Sequence, residues 1–274
     1  MTIILRTERL NKAFRLGTIG RSGLVPALSD VSISVESERP VVISVVGESG
    51  SGKTTLAKIL LRLVEPTSGR AIIYDRAVAG RGPLVERRKL LKSVQPIFQN
   101  PFEAFSRYRP VDAYLVETAT RVAGLAGNAA HALVDDALSS VGLEYADVRG
   151  KYPNQFSGGE LQRVAIARAL LAKPDLIIAD EPVSMIDASR RMIIINLFLK
   201  LKEDGGRSFL YITHDLATAY YISDYVAVMK RGAVVEFGPA REVMTNPKHE
   251  YTRLLLDSIP TTTRKWRESS QRPS

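Results

Sequence analysis

Residues 40–64 read PVVISVV-GESGSGKT-TLAKILLRLV, and this stretch decides the fold class. Residues 40–46 form an apolar, β-branched run of strand length, and residues 55–64 carry apolar side chains at helical spacing. Between them, residues 47–54 match the pattern G-x-x-x-x-G-K-[ST], a glycine-rich loop that joins a strand to a helix. A Gly/Ser-rich turn that binds nothing is the alternative, and the flanking strand and helix patterns disfavour it. The stretch therefore predicts an α/β fold that binds ATP or GTP.

The glycine-rich loop supplies the groups that attract phosphates. Its glycines let backbone N–H groups converge on an anion, and the positive end of the following helix adds to the attraction. Lys53 would place a charge at the β- and γ-phosphates, and the Thr54 hydroxyl would ligate Mg²⁺. The predicted ligands at this point are therefore ATP or GTP together with Mg²⁺. The nucleotide-binding residues predicted here are Gly47, Glu48, Ser49, Gly50, Ser51, Gly52, Lys53, Thr54 and Thr55.

The composition excludes several classes of protein. The 274 residues contain no cysteine, which rules out disulfides, cysteine-ligated zinc, iron–sulfur clusters and a cysteine nucleophile. No apolar stretch approaches the roughly 20 residues that span a bilayer, and the first residues do not resemble a secretory signal. The formal charge of +9 favours acidic partners, but the basic runs at 87–89 and 264–267 are short enough to be solvated surface. We expect no nucleic-acid partner.

Strand and helix patterns alternate along most of the chain, which predicts a mostly parallel sheet covered on both faces. Between residues 99 and 164 only helical periodicity remains. We therefore expect a core formed by residues 1–98 and 165–240 and a helical subdomain formed by residues 99–164. A strand at 3–10 leads into an expected loop at 17–26. Further strands are expected at 31–35, 71–74, 93–98, 175–179, 208–213, 226–230 and 233–237, and helices at 84–92, 111–123, 129–141, 161–172, 190–202 and 216–222.

The buried strand pattern at 175–179 ends in two carboxylates, Asp180 and Glu181. Phosphate-loop enzymes hold Mg²⁺ with a carboxylate at such a position, and Asp180 is the candidate. Glu181 would polarise the attacking water as a general base. The alternative is that the pair only caps the next helix, and the phosphate loop in the same chain argues against it.

A second glycine-rich motif, Ser157-Gly158-Gly159-Glu160, precedes a predicted helix. Glycines behind a serine at a helix N-terminus form a second anion-binding cradle. One triphosphate in one site does not need two such cradles. Two ATP molecules held head to tail between two protomers do need them, because each ATP then lies between the phosphate loop of one protomer and the second cradle of the other.

Six segments together resemble the motifs of ABC ATPases, in the family's order and over nearly the whole chain. The phosphate loop, Q-loop, signature, second carboxylate motif, D-loop and switch histidine correspond to 47–54, Gln99, 156–160, 177–181, 184–187 and His214. The resemblance implies an α/β, P-loop, ABC-type nucleotide-binding fold. Such a fold has a mostly parallel sheet, an N-terminal antiparallel β part and an inserted helical subdomain. The resemblance also implies ATP hydrolysis.

The resemblance assigns further roles. Gln99 would contact Mg²⁺ and the attacking water and connect the site to the helical subdomain. His214 would reach the γ-phosphate, and Asp187 would shape the dimer interface beside the partner's site. Phe14 is the candidate for stacking on adenine. Glu160 stands where the family commonly has glutamine, and we expect its negative charge near the γ-phosphate to tune activity rather than abolish it.

Three segments resemble ATPases of oligopeptide, dipeptide and nickel importers. They are 98–110, 180–184 and 246–260. In the last of these, Glu250 replaces the proline that is usual in the importer-type C-terminal element. The resemblance implies an ABC ATPase domain over residues 1–260, in which residues 241–260 form that element. The polar stretch 261–274 is expected to be a flexible tail.

The importer resemblance also implies partners and a location. Such chains act as head-to-tail pairs, formed with the same chain or a sister ATPase, on two transmembrane permease subunits. An extracytoplasmic solute-binding protein delivers the solute. The chain would then be a peripheral subunit at the cytoplasmic face of the inner membrane. Two alternatives remain open: an ATP-binding subunit of a soluble phosphonate-degrading assembly, and an ABC ATPase that acts on nucleic acid or ribosomes.

Overall fold

The structure, a computed structural model, describes residues 1–16 and 23–258 except for the side chain of Ala188. The strands are β1 Thr2–Leu16, β2 Gly23–Ser37, β3 Val42–Val46, β4 Ser68–Ile73, β5 Arg76–Ala79, β6 Val94–Ile97, β7 Leu176–Asp180, β8 Ser208–Thr213, β9 Tyr225–Lys230 and β10 Ala233–Pro239. The helices are α1 Lys53–Leu60, α2 Arg87–Ser93, α3 Val111–Ala123, α4 Asn128–Ser140, α5 Tyr145–Val148, α6 Gly158–Leu170, α7 Ala188–Glu203, α8 Leu216–Ile222, α9 Ala240–Thr245 and α10 Glu250–Asp257. None of these helices is long and apolar enough to cross a membrane.

The strands form two sheets of opposite character. A six-stranded sheet has the order β10-β9-β3-β8-β7-β6, and all its neighbours are parallel except β9 and β10. A four-stranded antiparallel sheet has the order β2-β1-β4-β5. The predicted combination of a mostly parallel sheet with an N-terminal antiparallel part is therefore confirmed.

The six-stranded sheet is buried on both faces. Successive side chains of a strand point to opposite faces, so alternate residues of β3, β7 and β8 belong to different hydrophobic clusters. Ile177 and Phe209 pack on the face that carries α6, α7 and the helices between β6 and α6. Ile178 and Leu210 pack on the face that carries α1 and the antiparallel sheet. This double burial explains why these strands are continuous apolar runs in the sequence.

The stretch between β6 and α6 contains helices and no strand, as expected. Leu115 on α3 and Val134 and Leu138 on α4 are fully buried, and they share one hydrophobic cluster with the adjoining face of the sheet. Apolar residues at this helical spacing form a stripe that can pack only against a neighbouring element. The apolar side chains whose spacing predicted the inserted helices therefore also pack these helices on the core.

The N-terminal region differs from its predicted form. The opening strand β1 continues to Leu16 and pairs with the equally long β2. In this pairing, Phe14 of β1 lies opposite Val25 of β2. Residues 23–26 of the expected loop therefore belong to a strand, and residues 17–22 lie outside the described residues. A single strand with polar alternation carries little local signal, and its long partner supplies the pairing that extends it.

Other differences are smaller. Strand β5 was not predicted, and α6 begins at Gly158, three residues before the expected start, because Ser157 caps it. Helix α8 spans the residues predicted for it. Helix α10 begins at Glu250 with the His249 side chain at its N-cap, so the glutamate in place of proline is compatible with a helix start there. The expected flexible tail lies outside the described residues.

Truncation of Phe198 tests the core beneath α7. Phe198 is fully buried, and its ring centroid lies 5.1 Å from that of Phe209 on β8. We expect Phe198→Ala to lower the free energy of unfolding by about 3–5 kcal/mol, because it leaves a cavity in a closed core. Chemical denaturation measures this change. Ile193→Ala, on the exposed side of the same helix, is the control and should change stability by only about 0.5 kcal/mol. Equal losses in both variants would contradict the packing described here.

Candidate functional site

The phosphate loop follows β3 directly, and two of its glycines are required by close backbone contacts. Gly47 has φ 150°, and a Cβ there would lie 2.1 Å from the carbonyl oxygen of Met229. Gly52 has φ 103°, and a Cβ there would lie 2.5 Å from the carbonyl oxygen of Ala27. No other residue fits either position. The glycines therefore let the loop pass between β9 and β2 before α1 begins.

Lys53 lies inside the loop rather than in solvent. Its Nζ donates hydrogen bonds to the carbonyl oxygens of Gly47, at 2.7 Å, and Glu48, at 2.9 Å. The residue is only 6% exposed. Burial lowers the pKa of Lys53 below its ordinary value, and the charges of Glu181, Asp180 and Glu48 oppose that shift. A desolvated cation beside glycine amides is suited to bind an anion.

Asp180, the last residue of β7, has an unsatisfied carboxylate. Burial raises its pKa, and a hydrogen bond with the Thr54 side chain opposes that rise. Its buried Oδ1 has no hydrogen-bond partner. A buried acceptor without a partner indicates a group that binds there. The hydroxyl and the carboxylate are hard oxygen ligands, and Mg²⁺ is commonly held by one or two such protein ligands together with substrate phosphates. The residues therefore fit Mg²⁺.

Glu181 and His214 form a contact that the sequence did not predict. The Nδ1 atom of His214 lies 2.9 Å from Oε1 and 2.7 Å from Oε2 of Glu181. The Glu181 side chain is 14% exposed and that of His214 is 63% exposed, so the imidazole faces the open side. Glu181 has φ 50°, and its N–H donates to the carbonyl oxygen of Ile212 on β8. This strained backbone aims the carboxylate at the histidine.

One cavity of about 520 Å³ brings the main predicted residues together. It is lined by Ala27, Ser49, Gly50, Gly52, Lys53, Thr54, Thr55, Gln99, Glu181 and His214. Ala27 was missed by the sequence analysis because it lies between the expected loop at 17–26 and the expected strand at 31–35, whereas the structure places it on β2. Asp180 does not line this cavity, but it directly precedes Glu181, which does. The phosphate loop, Gln99 and the Glu181–His214 pair therefore surround one space.

The signature motif lies at a different cavity. Ser157 caps α6, and its Oγ accepts the Glu160 N–H at 3.3 Å. The Glu160 carboxylate turns back and accepts the backbone N–H of Ser157 at 2.8 Å and the Ser157 hydroxyl at 2.7 Å. Hydrogen bonds from the side chain and then the backbone of Ser157 lower the pKa of Glu160. A cavity of about 210 Å³ beside this turn is lined by Ser157, Gly159, Glu160, Arg163, Arg190, Ile193 and Ile194.

Seven predicted residues line neither the phosphate-loop cavity nor the signature cavity. Four of them belong to the phosphate loop or to the end of β7: Gly47, Glu48, Ser51 and Asp180. The other three are Gly158, Asp187 and Phe14. Gly158 is the first residue of α6, and Asp187 is the exposed residue that precedes α7. Phe14 is 38% exposed on β1, with Lys12 Nζ 5.0 Å from its ring centroid. Within one chain, the structure therefore brings together the phosphate loop, Gln99, Glu181 and His214, and leaves the signature, Asp187 and Phe14 apart from them.

A family profile described as "ABC transporter" matches residues 28–184, which include the phosphate loop, the signature and both carboxylates. The chain belongs to the ABC transporter family. A second profile, "Oligopeptide/dipeptide transporter, C-terminal region", matches residues 235–274. The predicted family, including its oligopeptide and dipeptide branch, is thereby confirmed.

Curated relatives of this ABC transporter chain carry names of peptide and glutathione import. The oligopeptide transport ATP-binding protein OppD of Mycobacterium tuberculosis is 40% identical over 94% of this chain and 42% of its own length. AppF of Bacillus subtilis, also named an oligopeptide transport ATP-binding protein, is 36% identical over 94% of this chain and 79% of its own. The glutathione import ATP-binding protein GsiA of Escherichia coli is 42% identical over 94% of this chain and 41% of its own length. The chain thus spans about two fifths of the length of OppD and GsiA.

Solved structures of ABC cassettes have the same fold. The dimeric ATP-binding cassette MJ0796, in a post-hydrolysis state with ADP and Pi, superposes with a TM-score of 0.73 at 26% identity, over 86% of this chain and 99% of that one. The cassette cbiO1 of Clostridium perfringens, part of a transporter complex, superposes with a TM-score of 0.74 at 26% identity, over 95% of this chain and 97% of that one. Both likenesses confirm the predicted P-loop ABC fold.

The raised pKa of Asp180 predicts that this side chain destabilises the ligand-free chain. The folded state binds the Asp180 proton more tightly than the unfolded state, so stability falls as the pH rises from the ordinary pKa of 3.8 through the raised one. We expect ligand-free Asp180→Asn to melt at a higher temperature than the wild type at neutral pH. The gain should shrink as the pH falls through the raised pKa.

Thermal unfolding over a series of pH values measures this difference. Asp136→Asn, at an exposed position on α4, is the matched control and should show no such pH-dependent gain. A melting temperature of Asp180→Asn at or below that of the wild type at neutral pH would contradict the assignment of a desolvated carboxylate.

Proposed function

We propose that this chain is the ATP-hydrolysing subunit of an ABC importer that takes up oligopeptides, dipeptides or a related small solute. The observation that carries the ATPase part is the single cavity that joins Lys53, Thr54, Gln99, Glu181 and His214. The match of the C-terminal region to the oligopeptide/dipeptide profile and the names of the relatives support the peptide part. No observation favours a soluble assembly or a nucleic-acid partner.

Binding of ATP begins at the phosphate loop. Its backbone N–H groups and the N-terminus of α1 surround the phosphates, and Lys53 exchanges its two carbonyl partners for phosphate oxygens. Thr54, Asp180 and Gln99 would hold Mg²⁺, which would neutralise charge that develops on the phosphates. The buried Oδ1 of Asp180, which has no hydrogen-bond partner, is available for this role.

Hydrolysis depends on the Glu181–His214 pair. Glu181 accepts the proton of the attacking water and is the general base. His214 holds the carboxylate through Nδ1, and its other ring nitrogen would donate to the γ-phosphate in the doubly protonated form of the ring, in which both nitrogens carry a hydrogen. Gln99, from the segment after β6, positions the water on the opposite side and links the site to the inserted helices. Each group lies on the rim of the same cavity.

The signature acts on the ATP of the partner protomer. The phosphate-loop cavity and the signature cavity have no lining residue in common, so within one chain the signature does not line the phosphate site. In a head-to-tail dimer, Ser157, Gly158, Gly159 and Glu160 complete the partner's site, and Asp187 lies beside it. The solved cassette MJ0796, which resembles this chain, is dimeric, which supports this arrangement. Phe14 stays the proposed adenine contact.

The proposed division of the chain follows from these roles. Residues 1–98 and 165–240 form the catalytic core, residues 99–164 form the helical subdomain, and residues 241–260 form the importer-type element. The helical subdomain would contact two transmembrane permease subunits at the cytoplasmic face of the inner membrane, and an extracytoplasmic solute-binding protein would deliver the solute. Closure of the dimer on ATP and reopening after hydrolysis drive the permease, because ATP contacts both protomers only in the closed state.

Substitution of Glu181 separates hydrolysis from binding. We expect Glu181→Gln to retain ATP affinity while turnover falls at least about 100-fold, because a general base contributes that much or more. It should also accumulate an ATP-dependent dimer. Lys53→Ala should instead weaken ATP binding itself. Nucleotide titration, phosphate release and size-exclusion chromatography with light scattering measure the three quantities.

The matched control for this substitution is Glu203→Gln, which removes an exposed carboxylate at the end of α7. It should leave affinity and turnover unchanged. Normal turnover in Glu181→Gln would remove Glu181 from the role of base, and unchanged affinity in Lys53→Ala would remove Lys53 from the phosphate site.

Recovery of partners tests the importer. Purification of the tagged chain from detergent-solubilised cells of its host should recover two polytopic membrane proteins and a second ATPase, identified by mass spectrometry. The side chain of Tyr108, in the inserted region, is 90% exposed, and Tyr108→Glu should reduce recovery of the membrane proteins. Tyr220→Glu on α8, 52% exposed, is the control. Recovery of soluble enzymes or ribosomes instead would contradict the transport assignment but not the proposed ATPase activity.

A further inference from the structure

The importer-type C-terminal element contacts the phosphate loop through one buried tyrosine. Tyr251, in the first turn of α10, is 8% exposed. It shares a hydrophobic cluster with Val46, the residue that precedes the phosphate loop, and with Val228 of β9. Lys230 Nζ lies 4.5 Å from the centroid of the Tyr251 ring, a distance at which a cation is attracted to an aromatic face. The ring is therefore fixed between α10 and the base of the loop.

The hydroxyl of Tyr251 holds one peptide group of the loop. The backbone N–H of Glu48 donates to this hydroxyl at 3.2 Å. The carbonyl oxygen of the same residue accepts a hydrogen bond from Lys53 Nζ at 2.9 Å. One residue of the phosphate loop is thus bound on its N–H by the C-terminal element and on its carbonyl by the lysine that reaches the phosphates. Displacement of Glu48 would displace Lys53 as well.

Tyr251 is itself held in place by its own helix start. The His249 side chain caps α10, because its Nδ1 accepts the N–H of Tyr251 at 3.0 Å. The Glu236 carboxylate on β10 accepts the N–H groups of Lys248, at 2.8 Å, and His249, at 3.1 Å. The backbone that carries the tyrosine is therefore tied to the main sheet. The position of the Tyr251 hydroxyl relative to the Glu48 N–H is therefore restricted.

We propose that Tyr251 is a positioning residue for ATP, which presets the path of the phosphate loop at Glu48 and, through Glu48, the location of Lys53. The proposal rests on the proposed function, since it concerns the affinity of the same site for nucleotide. Tyr251 lines no part of the 520 Å³ cavity, so it acts through the loop and not by touching the nucleotide. A loop that is already ordered in its binding conformation loses less entropy when ATP binds, which raises affinity. The C-terminal element thereby becomes part of the nucleotide site.

Tyr251→Phe tests the proposal, because it keeps the ring, its packing and the contact with Lys230 and removes only the hydroxyl. One hydrogen bond between neutral groups corresponds to an affinity change of about threefold to tenfold. We expect the dissociation constant and the KM for ATP to rise by that factor, while kcat changes less than about twofold. In the ligand-free chain, the amides of residues 47–54 should exchange hydrogen faster than in the wild type.

The matched control is Tyr221→Phe on α8, which also loses one phenolic hydrogen bond, that from its hydroxyl to Asn196 Oδ1 at 3.1 Å. A merely structural role of Tyr251 would affect thermal stability in both variants and leave the loop amides alone. ATP affinity of Tyr251→Phe within twofold of the wild type, or loop exchange no faster than in Tyr221→Phe, would overturn the proposal. Loop exchange is measured without nucleotide, so it tests the positioning role even if the wild type fails to bind ATP, which would overturn the proposed function instead.

Discussion

Parallel pairing at the centre of the six-stranded sheet is the constraint on which the rest of this structure depends. Strand β3 pairs with β8 so that Val46 lies opposite Thr213, and β7 pairs with β8 so that Asp180 lies opposite Ile212. Parallel strands end at the same edge of a sheet, so the residues that follow these strands meet there. Gly47, Glu181 and His214 each come immediately after one of the three strand ends. A register shift of one residue would move all of these groups apart.

Burial at this edge gives the site its electrostatic character. Desolvation lowers the pKa of Lys53 and raises that of Asp180, so both charged forms are less stable in the ligand-free chain than in water. Neither side chain has an ion-pair partner within the described residues to offset this penalty. In the proposed function, a bound triphosphate with Mg²⁺ would supply the missing opposite charges. The site would then give up stability in exchange for affinity, as functional sites commonly do.

Two longer-range links connect the site with the rest of the molecule. Gln99 leads from the phosphate cavity into the inserted helices, which pack on the sheet through residues such as Leu115. Tyr251 leads from Glu48 into the C-terminal element. The phosphate loop and its cavity thus contact both the region proposed to bind the permease and the region whose sequence matches the oligopeptide/dipeptide profile.

The amino-acid sequence by itself determined the features that depend on neighbours along the chain. These are the phosphate loop between a strand and a helix, the two carboxylates at the end of β7 and the apolar runs of the doubly buried strands. Local hydrogen bonding, glycine conformation and side-chain periodicity act over a few residues, so they can be recognised in the sequence pattern. Most helices and strands, and the main residues of the site, could therefore be predicted.

Only the tertiary structure decided the contacts between distant segments. The pair of Glu181 and His214, the wall formed by Ala27, the extension of β1 beyond residue 10 by pairing with β2, and the hydroxyl of Tyr251 at Glu48 all join residues far apart in sequence. Tyr251 and Glu48 are separated by 203 positions, and no local pattern encodes which of ten tyrosines meets the loop. Such contacts follow from how strands and helices pack in three dimensions, because packing brings together side chains that have no preference for one another along the chain.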